Sequence, residues 1–293
     1  MILAKRRRSR RKKGNNAWVV NLGIVILLAA VVYILLAGKV GAWISETLLA
    51  PPSATQTADG TLTPAPGASP ITQLTGEMIT KEVQTPLLTL YTLQLGAFSQ
   101  PANAADAATE SRATGAAGYV ANHQSLYRVL GAAYATQADA TTVKDHLKTT
   151  QNLDCGVFPL QSESLIIKIT AEEECITAIE NALATWLTLI EKTREIGLAF
   201  DKGTLDKAAA TTQLTETTQQ AKAAAETLTQ IQALATGITL PGELAAELTK
   251  CAAQLEEVLL ATDADFGWRL KYVCLSIADL YVQYINALGT PAT

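Results

Sequence analysis

Histidine is almost absent from this chain. His123 and His146 are the only two in 293 residues, and neither stands near a Glu or Cys at metal-ligand spacing. That excludes a hydrolytic zinc centre built in the usual way. No Gly-rich phosphate loop and no Ser-centred elbow follows a strand pattern, which removes nucleotide and serine-hydrolase chemistry. Adjacent acids do occur at Glu172–Glu174, but at a helix start, where they satisfy the helix dipole rather than flank a substrate. The reading is a non-enzyme without metal or cofactor. Aromatics are scarce too, at 5% against 48% hydrophobic residues, so Ala and Leu carry the apolar content and favour helix over sheet.

Charge is missing where it matters most. Eight Lys and Arg fill Lys5 to Lys13, and no charged residue follows until Lys39. Within that gap Ala17 to Leu36 is apolar except for Asn21. About 20 such residues make about 30 Å of helix, the thickness of a bilayer core. Trp18 and Trp43 flank it as interfacial anchors do. A cleavable signal is disfavoured by the length of the run and by Pro51-Pro52 directly after Ala50. Residues 1–16 therefore read as a basic cytoplasmic tail against anionic lipid, and 17–38 as a transmembrane helix. Everything beyond is expected outside the cytoplasm, in a single-pass protein of the cell membrane. With its basic block set aside the chain is acidic, at net charge −4 overall, so nucleic acid is not an expected partner.

Residues 39–87 are read as a linker, rich in Pro, Thr and Ala from Ala50 onward. They have too little apolar surface to offset ordering entropy. At flexible-chain statistics about 35 residues span about 30 Å on average.

Residues 88–170 form the next unit. Leu93 and Leu95 alternate with Thr92, Gln94 and Gly96, the period of a half-buried strand. An Ala-rich helix to about Thr114, strands at Tyr119–Ala121 and Leu126–Ala133, a helix at Thr136–Thr150 and a strand at Asp154–Leu160 complete a βαββαβ order. Ser164–Thr170 adds a further apolar strand. Two helices would cover one face of the antiparallel sheet and leave the other open, with Thr92, Gln94, Arg128 and Leu130 on the open side.

Two stretches of this unit, Tyr91-Thr-Leu-Gln-Leu-Gly-Ala-Phe98 and Tyr127-Arg-Val-Leu-Gly-Ala-Ala-Tyr134, look like halves of one motif. With Asn103-Ala104, Ala138 and Leu147 they resemble the SPOR (sporulation-related repeat) domain. The usual Gly-Pro-Phe of that family is Ala132-Ala133-Tyr134 here. The resemblance implies a small ferredoxin/RNP-like α+β module that binds peptidoglycan glycan strands stripped of stem peptides, at division or sporulation septa of the bacterial cell envelope. By position it implies Gln94, Tyr127, Arg128 and Tyr134 as glycan contacts.

Residues 171–293 match no family by inspection and read as an antiparallel helical bundle. Thr170-Ala-Glu-Glu173 has the form of a capping box. Stripes at Ile176, Ile179, Leu183, Trp186 and Ile190, at Leu244, Leu248, Cys251 and Leu255, and at Leu270, Cys274, Ile277 and Tyr281 have helical spacing. Cys251 and Cys274 fall on inward stripes and are expected as core neighbours, either as a disulfide or as buried free thiols. The leading reading is a membrane-anchored glycan-binding protein. The alternative is an exported scaffold whose bundle recruits a protein partner while the sheet module is degenerate.

Overall fold

A computed structural model describes Leu74, residues 76–235 and residues 237–289. The basic tail, the transmembrane reading at 17–38 and most of the linker lie outside the described residues. Among the described residues no helix is long and apolar enough to cross a membrane.

Among the described residues six strands and six helices follow one another. Strand β1 (Met78–Gln84), β2 (Thr89–Phe98), helix α1 (Pro101–Ala113), β3 (Tyr119–His123), β4 (Leu126–Tyr134), α2 (Gln137–Gln151), β5 (Gly156–Gln161) and β6 (Ile166–Glu172) come first. Helices α3 (Glu173–Asp201), α4 (Lys207–Leu234), α5 (Leu240–Leu259) and α6 (Asp263–Leu288) complete the described chain. The sheet order is β3-β4-β2-β5, antiparallel throughout, which is the expected βαββαβ arrangement.

Local chemistry explains the breaks. Pro101 opens α1, and the chain leaves that helix through Gly115 and Gly118, both at positive φ. A Cβ at Gly118 would stand 2.3 Å from the Ala108 carbonyl oxygen, so only glycine lets the backbone pass this close. Thr136 caps α2, Asp206 caps α4 and Thr262 caps α6, each accepting a backbone N–H from the residue three on. Pro241 sits in the first turn of α5, where its missing N–H costs nothing.

The linker expected over residues 39–87 ends earlier, because Met78–Gln84 is a strand that pairs with β6 from Met78↔Glu172 to Gln84↔Ile166. Its exposed, polar composition hid it, because only Val83 is buried. Thr170 does not cap a helix. It lies in β6, where its hydroxyl bonds to that of Thr80 at 2.9 Å, and α3 starts only at Glu173.

The sheet face expected to be open is free at one end only. Helices α1 and α2 pack on one side through Ala104, Ala108 and Ala140 against Val129, Leu93 and Tyr134. On the other side α6 crosses the sheet and joins it to the bundle. Leu90, Ala121, Leu130 and Leu160 of the sheet enter the same core as Trp186, Leu214, Leu248, Phe266 and Ile277. The boundary drawn at 170/171 therefore cuts a continuous core, with no linker between β6 and α3. The bundle itself closes α3 to α4, α4 to α5, and α6 back onto α3. Its pivot is Trp186, fully buried, which donates its indole N–H to the Ile277 carbonyl at 3.2 Å and meets Tyr281 edge to face. Cys251 and Cys274 are both buried in this core as free thiols, and the Cys274 sulfur lies 3.8 Å from the Ile190 carbonyl oxygen.

Candidate functional site

Alternation along β2 and β4 decides which side chains can meet a ligand. Leu93, Leu95 and Val129 turn toward α1 and α2. Gln94, Arg128 and Leu130 turn the other way, and Leu130 is fully buried in the core shared with the bundle. On the same side Tyr119 of β3 donates its hydroxyl to Asp279 of α6 at 2.8 Å and packs edge to face on Tyr272 at 5.3 Å. Burial and the Asp279 carboxylate raise the Tyr119 phenol well above its ordinary value, so it remains a donor. Asp279 takes a second bond from Gln283 at 2.8 Å. Helix α6 thus occupies one end of the face. The other end, carrying Gln94, Arg128, Phe158 and His123, remains half-exposed.

These four residues form a connected group. Arg128 Nη1 donates to Gln94 Oε1 at 2.6 Å, and the guanidinium carbon lies 4.5 Å from the centroid of the Phe158 ring. The His123 ring meets Phe158 edge to face at 5.5 Å. Thr92 is buried and donates to the Phe158 carbonyl at 2.9 Å, which fixes β5 beside β2. The guanidinium is therefore held by a cation–π contact below and an amide at its side. Arg128 Nε is buried with no protein acceptor, and the opposite residue, Ala97, is exposed. Pairing of β2 with β5 stops at Gln94↔Gly156, and beyond it lies a shallow recess of about 360 Å³ lined by Gln94, Leu95, Gly96, Asp154, Cys155 and Gly156.

Two bulges set this geometry. The β2–β4 register slips between Thr92 and Gln94 and slips back between Gln94 and Gly96. Gly96 lies on the same side as Phe98, and a Cβ there would stand 2.7 Å from the Phe98 ring. A larger residue at 96 would have to displace that ring.

Of the four residues singled out from sequence, the structure brings Gln94 and Arg128 together. Tyr127 lies on the opposite face, packed with Ala104, Ala108 and Val129. Tyr134 is also on that face, buried with Leu93, Ala132 and Ala140. Sequence reasoning missed Phe158 and His123. A signal existed for Phe158: Val157 and Phe158 alternate in β5, and placing Val157 beside Leu93 on the helix side sends Phe158 to the face of Thr92.

A family model for the SPOR domain matches residues 88–159. No curated protein and no solved structure matches the chain. The chain carries a SPOR domain, and SPOR domains bind peptidoglycan. The match ends within β5, so the paired strands β1 and β6 and the bundle are outside it.

Proposed function

We propose that this protein holds peptidoglycan glycan strands at a division or sporulation septum through the Gln94–Arg128–Phe158 end of its SPOR sheet. The observation that carries the reading is the fixed guanidinium: Arg128 lies against Phe158, is tied to Gln94, and still has N–H groups to give. Glycan hydroxyls and acetamido carbonyls accept such donors, and the Gln94 amide nitrogen adds another. Half-exposed Phe158 and His123 offer ring surface to the C–H face of a pyranose. With residues 17–38 as a single span and the N-terminus cytoplasmic, the site would stand outside the membrane within reach of the wall.

Sedimentation with sacculi tests this. A shortened chain that starts at Gly67 should pellet with amidase-treated sacculi more than with intact ones. Equal absence from both pellets would overturn the glycan reading.

A second reading draws on the bundle. Helices α3 and α4 leave between them a groove of about 850 Å³, lined by Thr177, Asn181, Thr185, Ala223, Thr227 and Ile231 among others. Small side chains on both walls suit an incoming helix of an exported protein partner. Thr227→Trp would fill the groove. It should leave sacculus binding intact while reducing recovery of a cross-linked partner, and unchanged recovery would count against the scaffold role.

A further inference from the structure

A partly open pocket away from the sheet face is lined by α1, α5 and α6. Its volume is about 140 Å³, room for roughly four or five waters. Arg112 of α1 lines it, together with Gln254 and Glu257 of α5 and Trp268, Arg269 and Tyr272 of α6. Six side-chain nitrogen or oxygen atoms are buried without a partner among the described residues, and three of them belong to this pocket: Arg112 Nε, Arg269 Nε and Gln254 Oε1. That convergence is not expected by chance, because buried polar groups are almost always paired.

The aromatic rings hold the cations in place without using their hydrogens. The Arg112 guanidinium carbon lies 5.5 Å from the ring centroids of both Trp268 and Tyr272, and that of Arg269 lies 4.9 Å from Trp268. Arg112 donates once, from Nη2 to the Gly118 carbonyl at 3.1 Å. Neither guanidinium forms an ion pair among the described residues, whereas Arg194 does. Two cations thus share the pocket with Glu257, exposed at its rim. Arg269 also acts on the Asp265 carboxylate, which accepts from the Trp268 indole N–H at 3.1 Å, so the charges are close to balanced while the two Nε–H groups stay without an acceptor.

The unpartnered atoms specify the complement. Two N–H donors on two guanidiniums call for a carboxylate, whose paired oxygens match the guanidinium fork. The Gln254 carbonyl oxygen calls for a donor on the same ligand, close to that carboxylate. A phosphate dianion would bring more negative charge than two guanidiniums already near Glu257 and Asp265 can balance. We infer that this pocket binds a small α-hydroxy monocarboxylate, with its carboxylate on Arg112 and Arg269 and its hydroxyl donating to Gln254. Because Arg112 comes from the SPOR domain and the other two from the bundle, an occupied pocket clasps the two together.

Calorimetric titration of the full chain in detergent tests this, with sodium lactate, propionate and inorganic phosphate as probes at constant ionic strength. Lactate should bind saturably with Kd on the order of 1 mM, as a ligand of few atoms allows, and raise the melting temperature. It should bind at least about tenfold tighter than propionate, which lacks the hydroxyl, or phosphate. Arg269→Gln should weaken lactate about tenfold or more, with circular dichroism reporting its fold. Gln254→Leu, a neutral change less demanding of folding, should make lactate and propionate equal. No saturable lactate binding, equal binding of phosphate, or unchanged selectivity in Gln254→Leu would each overturn the proposal.

Discussion

Arg128 draws its precision from its neighbours. A free arginine gives up much rotamer freedom when it grips a ligand, but here the Phe158 ring and the Gln94 carbonyl have already fixed the guanidinium. Replacing Gln94 and Arg128 together with Ala should weaken sacculus binding by about 1–3 kcal/mol in total, the scale of lost polar contacts. The fold should survive, since neither residue is buried in the core. Unchanged sedimentation of a folded double variant would place the glycan elsewhere on the domain. These two residues were legible because a plain period of two puts them on one face. Tyr127 and Tyr134 were not separable from them by resemblance alone. Tyr127 lies one residue from Arg128 and so on the other face, and the bulge near Gly131 sends both Ala132 and Tyr134 to the α2 side.

At the scale of elements, the β3–β4 hairpin turns on two residues, Gln124 and Ser125, with φ of 53° and 63°. Both are in the left-handed region, the requirement of a type I′ turn, where Asn and Gly are favoured. The left-handed conformation costs a non-glycine residue roughly 1–2 kcal/mol. Ser125→Gly should therefore stabilise the protein by about 1 kcal/mol, read as a higher denaturant midpoint with unchanged slope. A lower midpoint would mean that the serine is not strained there. Helix ends were the most readable part of the chain, because capping is local: Thr262 and Pro241 stand where the helices begin. Strand β1 was unreadable for the opposite reason. Its partner lies about 90 residues away, and six of its seven residues are exposed, so no local apolar period announced it. Thr170 shows the same failure in reverse, a good local capping pattern overridden by cross-strand pairing with Thr80.

At the scale of the whole molecule, sheet and bundle share one core among the described residues, and this was the feature least visible in sequence. Contacts such as Tyr119 with Asp279, 160 residues apart, follow from packing and leave no period or motif. Residues 88–170 cut from the chain would expose Leu90, Leu130 and Leu160, all essentially buried against the bundle. Burial of each such side chain is worth about 1.5–3 kcal/mol, comparable in sum to the stability of a small domain. That fragment should show no cooperative thermal transition, and a sharp melt like that of the longer chain would refute the shared core. The same core predicts an alkaline limit. Burial pushes the Cys251 and Cys274 thiols and the Tyr134 and Tyr281 phenols up to about 12, and raises Tyr119 and Tyr284 still further from their ordinary values. Each group holds its proton more tightly folded than unfolded. Its contribution is thus complete below the unfolded pKa, about 8.5 for thiols and about 10 for phenols, and is lost as pH rises toward the folded value. Each group contributes a slope of about 1.4 kcal/mol per pH unit inside its window. Under reducing conditions the urea midpoint should hold steady to about pH 8, decline from about pH 9 and fall steeply above about pH 10. A flat midpoint across that range would mean that the thiols and phenols titrate as they do in water, which the burial of Tyr134 beneath α2 and of the others in the bundle core forbids.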